Sequence, residues 1–192
     1  MSQNNDAELT ALYRESMDVR NRLVAALKSR AITLDRAYVF TEGESTPVSL
    51  SELFGAQDDL IVIHNMGRSC NYCSLWADGL NGVLDHLRTR TSVVLMNADS
   101  AEAQREIARE RGWKFRMIRD TECAFTDAMG FRTDHDGKKY MQPGYSVFHR
   151  NDDGSITRTG YDAFGPGDVY MGVFHMFDML ADGGEGWQPR KS

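Results

Sequence analysis

Apolar and polar positions alternate along this chain in several distinct rhythms. From Asp6 to about Arg30 the residues Leu9, Leu12, Tyr13, Met17, Val24 and Leu27 return near helical spacing between charged neighbours. That periodicity predicts an amphipathic helix that needs something to pack against. AYVF at 37–40 and the following TPVSLSELF, separated by turn residues Glu42 to Ser45, read as a short hairpin running into a helical turn. Leu60 to Ile63 is an unbroken apolar run closing on His64 and Asn65, the pattern of a strand buried on both faces in a parallel sheet. From Cys70 the residues Tyr72, Leu75, Trp76, Leu80, Val83, Leu84 and Leu87 share one helical stripe, so a helix begins at the cysteines. Gly79 and Gly82 inside it cost roughly 1 kcal/mol each relative to alanine and predict close packing or a kink.

SVVLM at 92–96 is a second buried strand, and Asp99 with Glu102 forms a capping-box-like start to a helix that Gly112 ends. KFRMI at 114–118 is a weaker third strand, followed by a short helical piece at 122–129. GYSVFHR at 144–150, the turn NDDG and SITRTGY from Ser155 form the clearest hairpin. A last helix is expected over 168–180, after the breaker GPG. Parallel βαβα followed by an antiparallel hairpin and a helix is the order of a thioredoxin-like α/β fold, a central mixed sheet flanked by helices. Residues 1–55 read as a helical and hairpin extension before a thioredoxin-like domain at 56–192.

Composition narrows the function classes. At 192 residues and 41% apolar content the chain fills one core, and its net charge of -6 leaves no basic footprint for nucleic acid. MSQNNDAELT lacks the basic and apolar regions of a targeting peptide. The longest later apolar run, MGVFHMF from Met171, falls well short of the ~20 residues that span a bilayer. These features place the protein in a reducing cytoplasm, away from membranes, with the N-terminal helix offering a surface for a homodimer.

Cys70 and Cys73 stand two residues apart in a chain with three cysteines, so the framework is not a disulfide scaffold. In a reducing compartment a CxxC beside strand–helix alternation reads as a redox motif, whereas zinc would ask for a second ligand pair that the sequence lacks. A helix N-terminus lowers a thiol pKa through its unpaired N–H groups and positive dipole end. That position makes Cys70 the nucleophile and Cys73, one turn deeper, the resolving thiol, with Arg68 adding a cation in favour of the thiolate. The partner is then a protein or small-molecule thiol or disulfide, and no cofactor is needed. The alternative is a pair of inert, packed thiols. Cys123, alone in TECAF, reads as a small buried hydrophobe.

The strings LDRAYVF, VSLSELF, LIVIH, CSLWADGLNG, ERGWKF and SVFHR, in this order, resemble a family of unknown function described as predicted dithiol-disulfide oxidoreductases, related to thioredoxins and peroxiredoxins. The resemblance runs from about Thr33 to Tyr161 and implies a thioredoxin-like fold with a redox role. It places His64 where the thioredoxin pattern carries a buried acid, so that His64 would accept the proton of Cys73 during resolution; the other reading is a satisfied strand-end histidine. It places Pro143 where such proteins carry a cis-proline facing the cysteines, a substrate-binding position, and leaves Trp76 as core or as a shield over the site. Two departures stand out: only Asn65 to Ser69 separate the strand from the CxxC, and 131–142 has no counterpart.

Two other functions fit some of these residues. One is a thiol peroxidase, in which one cysteine is oxidised to a sulfenic acid and the other resolves it, with the peroxide-reactive thiol at the second cysteine's position. The other is a copper- or zinc-binding module using Cys70, Cys73 and a remote His149 or His175.

Overall fold

The computed structural model describes residues 7–190. The first helix, α1 (Ala7–Lys28), follows the predicted span, and the expected start at Asp6 lies outside the described residues. A two-residue strand β1 (Ile32–Thr33) precedes the hairpin of β2 (Val39–Glu42) and β3 (Thr46–Ser49), which runs into α2 (Leu50–Leu53). Ser49 and Glu52 close a reciprocal capping box there. The chain continues through β4 (Asp59–His64), α3 (Asn71–Gly82), α4 (Leu84–Leu87), β5 (Ser92–Asn97), α5 (Ala101–Arg111) and β6 (Arg116–Arg119). It ends with α6 (Ala124–Ala128), β7 (Arg132–His135), β8 (Lys138–Met141), β9 (Gly144–Arg150), β10 (Ile156–Ala163) and α7 (Gly172–Phe177).

Eight strands form one mixed sheet in the order β1-β10-β9-β4-β5-β6-β2-β3, with β4, β5 and β6 parallel and the rest antiparallel. The fold is thioredoxin-like, with helices on both sides of the sheet. The hairpin assigned to the extension joins this sheet, because β2 pairs with β6 and β1 with β10. Tyr38, Phe40, Val48, Leu50, Leu53 and Phe54 share a core with Leu60, Val62 and Val94. Residue 55 therefore does not separate two cores.

Strand alternation divides the interior into two layers. Leu60, Val62, Val94 and Met96 face the layer of Phe40, Phe125, Phe131 and Phe148. Ile63, Val93 and Leu95 face the opposite layer, where α3 packs through Trp76 and Ala77.

The cysteine helix shows both effects expected of its glycines. A Cβ on Gly79 would come within 2.4 Å of Met171 Cε, and the helix breaks after Gly82, with α4 resuming beyond Val83.

Three expectations need correction. The N-cap of α5 is Ser100, whose side chain accepts the Ala103 N–H, not Asp99. The polar segment 131–142, in which the sequence shows no strand pattern, contains the separate hairpin of β7 and β8. The last helix is shorter than expected because the Asp168 carboxylate accepts N–H groups of Gly165, Tyr170 and Met171, folding 165–171 into a turn instead of a helix.

Candidate active site

The pair lies where the parallel run of the sheet ends. The Asn65 N–H still donates to Met96 O at 2.9 Å, prolonging β4, and the chain then turns sharply towards α3. The buried Asn65 shapes that turn: its Oδ1 accepts the Gly67 N–H at 2.7 Å and its amide nitrogen reaches Cys73 O at 3.4 Å. Asp99, after β5, accepts the Arg68 N–H at 2.7 Å, so the short connection is tied from both sides.

Cys70 is the N-cap of α3, and its sulfur takes the place a serine or aspartate oxygen would occupy, accepting the Cys73 N–H at 3.1 Å. It is partly exposed, whereas Cys73 is buried; both are free thiols. The Cys73 thiol donates to Cys70, and this, with the amides of Cys73 and Tyr72, outweighs burial and brings the Cys70 pKa down from 9.0 to about 6. Donating that hydrogen bond, together with burial, pushes the Cys73 thiol up. The Met66 N–H points at Cys73 Sγ from 3.5 Å and works in the other direction, favouring its thiolate. One turn of helix thus holds an ionised outer sulfur against a protonated inner one.

Arg68 does not complete this arrangement. Its guanidinium turns to Glu106 and Glu110 on α5, with Nη2 at 3.2 Å from Glu110 Oε1, so it anchors the connection to that helix. The groups that lower Cys70 are Cys73 and the backbone amides.

His64 lies on the opposite face of the sheet from α3. It follows Leu60 and Val62 in the strand alternation, stacks on Phe131 with ring centroids 3.8 Å apart, and places Nε2 at 3.0 Å from Ser146 Oγ. Burial, aided by the charge of Arg158, drops its pKa to about 3. It is a neutral core histidine at physiological pH, with the sheet between it and the pair.

Trp76 is 2% exposed, donates its indole N–H to Asp168 at 2.9 Å and stacks on Phe164. It supports α3 from within and has no surface to offer a substrate. Pro143 directly precedes Gly144, which pairs with His64, so it sits at the same end of the sheet as the cysteines. The expected cis bond is not found: all peptide bonds among the described residues are trans. The chain enters β9 straight from the hairpin base, where the Gln142 N–H donates to Phe131 O, and the Phe164 N–H donates to Pro143 O. No turn at Gln142–Pro143 calls for the other isomer. Gly144 admits no side chain, because a Cβ would lie 2.3 Å from Asp162 O and 2.4 Å from Phe131 Cε1.

The remote histidines do not assemble with the thiols. His149 pairs in register with Asp59 and places Nδ1 at 2.8 Å from its carboxylate, at the far end of β4, and His175 places Nε2 at 2.9 Å from Asp168 O. Among the described residues no group of three or more His, Cys, Asp or Glu side chains is arranged to hold a metal ion. Cys123 is the N-cap residue of α6, which packs into the layer opposite that of α3, and it is half-buried and not the fully buried hydrophobe expected. Asn65, Met66 and Asp99 are the site residues that the sequence reading missed. The polar Asn65 directly after a fully apolar strand, with Gly67 two residues on, was the available signal for the first.

Comparison with known proteins agrees with this architecture. The family model described as a bacterial protein of unknown function, DUF899, matches residues 3–190. Among solved structures, the peroxidoxin BcpB from Mycobacterium tuberculosis aligns at 16% identity and a TM-score of 0.52, covering 68% of this chain and 84% of its own. A cysteine-to-serine mutant of PrxQ from Xylella fastidiosa aligns at 12% identity and a TM-score of 0.56, covering 69% and 84%. At these identities the likeness is one of fold. No curated relative matches the sequence.

Proposed function

The chain belongs to DUF899, a family of bacterial proteins of unknown function, and from that premise we propose that it is a thiol-disulfide oxidoreductase working through Cys70 and Cys73. One observation carries this reading: the partly exposed Cys70 sulfur caps α3 with a pKa near 6, while Cys73 beneath it stays protonated. The Cys70 thiolate attacks one sulfur of a substrate disulfide, forming a mixed disulfide and expelling the other sulfur as a thiolate. Cys70 then no longer accepts the Cys73 hydrogen bond, and the Cys73 thiol loses what held its proton most firmly. The Met66 N–H and the helix N-terminus favour its ionisation, and Cys73 attacks Cys70 Sγ. That step closes the Cys70–Cys73 disulfide and releases the second substrate thiolate, so two electrons pass from protein to substrate. Run backwards, the same steps oxidise a dithiol.

Trapping tests the assignment. With an aromatic disulfide such as 5,5′-dithiobis(2-nitrobenzoate), the Cys73→Ser variant should retain one aromatic thiol on Cys70. Wild type should release both aromatic thiols and lose two free thiols. Labelling that falls first on Cys73, or three thiols surviving in the oxidised wild type, would defeat the proposal.

A thiol peroxidase is the second reading, favoured by the fold neighbours' names, peroxidoxin and PrxQ. Cys70 thiolate would cleave the O–O bond of a hydroperoxide, becoming a sulfenic acid and releasing an alcohol; Cys73 would condense with it, releasing water and closing the same disulfide. Burial and the raised pKa of Cys73 speak against the reversed assignment of these roles. Turnover of hydroperoxide without turnover of disulfides would favour this second reading.

A further inference from the structure

Among the described residues α1 is a 22-residue helix in which none is buried. Leu9, Leu12, Tyr13, Met17, Val19, Leu23 and Val24 are 40 to 66% exposed, although their spacing gathers them into one stripe about 23 Å long, interrupted only by Ser16 and Arg20. A helix of this length is marginal in water without a surface against it, and contiguous apolar patches of this extent on a monomer mark interaction sites. Only Leu27 near its end is half-buried, where the helix passes beside β10.

The charges identify the partner. From Ala7 to Asp18 the helix carries Glu8, Glu15, Asp18 and a single Arg14, whereas Val19 to Arg30 carries Arg20, Arg22, Lys28 and Arg30 with no carboxylate. An anionic lipid surface would suit only the second half. A second copy running the opposite way suits both, because each acidic half then lies along a basic one. Glu15 and Arg22 lie two turns apart on one side of the helix, so an antiparallel copy centred near Asp18 brings each Glu15 level with its partner's Arg22. The same register sets Leu9 near Leu27 and Tyr13 near Leu23 across the two-fold axis.

We propose that α1 is a self-association element, pairing antiparallel with α1 of a second copy in an isologous dimer. The proposal stands independently of the redox chemistry.

Sedimentation velocity on the full chain, in reductant, tests it. At about 100 µM the protein should be dimeric and should dissociate on dilution, with a Kd on the order of micromolar for a pair of helices at the small end of specific interfaces. Leu12→Asp with Leu23→Asp should give a monomer that melts where wild type diluted below its Kd melts, since neither side chain is buried within one copy. Glu15→Lys or Arg22→Glu alone should weaken the dimer roughly fivefold, and the double exchange should restore it to within about twofold. A monomer at every concentration, a dimer unaffected by the aspartates, or a double exchange no better than the single ones would overturn the proposal. So would an aspartate variant that melts below dilute, monomeric wild type, or co-sedimentation of monomeric protein with phosphatidylglycerol vesicles.

Discussion

Replacing Cys73 with alanine removes the thiol that contributes most to the low pKa of Cys70, but leaves the backbone N–H groups of Cys73 and Tyr72 in place. At pH 7 a pKa near 6 keeps roughly nine-tenths of Cys70 ionised, against about one per cent for a thiol at 9.0. If the whole depression vanished, the thiolate population would fall about 90-fold. The more basic thiolate would at the same time be about 20-fold more nucleophilic, from a Brønsted slope near 0.4–0.5 over three units. The observed rate at pH 7 would then drop only about fourfold, so a single-pH rate is a poor test. The titration midpoint is a good one. Alkylation rate or ultraviolet thiolate absorbance, followed against pH in a Cys123→Ser background, should show a midpoint near 6 for the otherwise native pair. With the amides retained, the alanine variant should move it to roughly 7 to 8, and Cys73→Ser, which keeps a hydroxyl donor, should move it less. A native midpoint near 9, or an alanine variant still titrating at 6, would refute the account of how α3 activates Cys70.

The stabilised thiolate favours the reduced pair, so its reduction potential should lie between thioredoxin's ~-270 mV and DsbA's ~-120 mV, on the order of -230 mV at pH 7. Glutathione equilibration against pH should show a slope of about 59 mV per unit below pH 6 and about 30 mV above it; one constant slope across that range would contradict a Cys70 pKa there. His64 gives a stability prediction: its folded pKa of about 3 lies below the unfolded 6.5, so the unfolded chain binds the extra proton between them. Stability should therefore fall as pH drops through that window, by up to about 1.4 kcal/mol per pH unit, and His64→Phe should flatten the curve in urea melts without moving the Cys70 midpoint. An equal acid slope in both proteins would sink this reading.

The sequence pattern reaches far into this molecule because the strands at the centre of its main sheet are apolar runs or alternate. Leu60 to Ile63, Ser92 to Met96 and the 144–161 hairpin could be read from residues alone, and so could the helix start at Cys70. The errors concern what periodicity cannot encode. The thioredoxin resemblance puts His64, at the end of β4, beside Cys73; strand alternation instead turns it to the far face of the sheet. Arg68 lies two residues from Cys70, but its long side chain finds two carboxylates on α5 that no local window contains. Asp99 looked like a cap because Glu102 follows it at the right spacing, while tertiary contact gives it to the Arg68 amide and leaves the capping to Ser100. The hairpin at 131–142 carries charged residues on both strands, so no apolar rhythm announces it.

That hairpin forms a sheet of its own, fastened to the body at its root, where Phe131 lies against His64 and Gln142 closes onto Phe131 O, and by Arg132 and Lys139 to the Asp127 carboxylate of α6. Its tip at Asp136 and Gly137 points into solvent. The molecule is modular at this place: the root answers to the packing of the core, while the outer residues are free to drift, lengthen or acquire a new contact. Whatever history has written on the tip could change from one relative to the next at no cost to the chemistry of the two thiols.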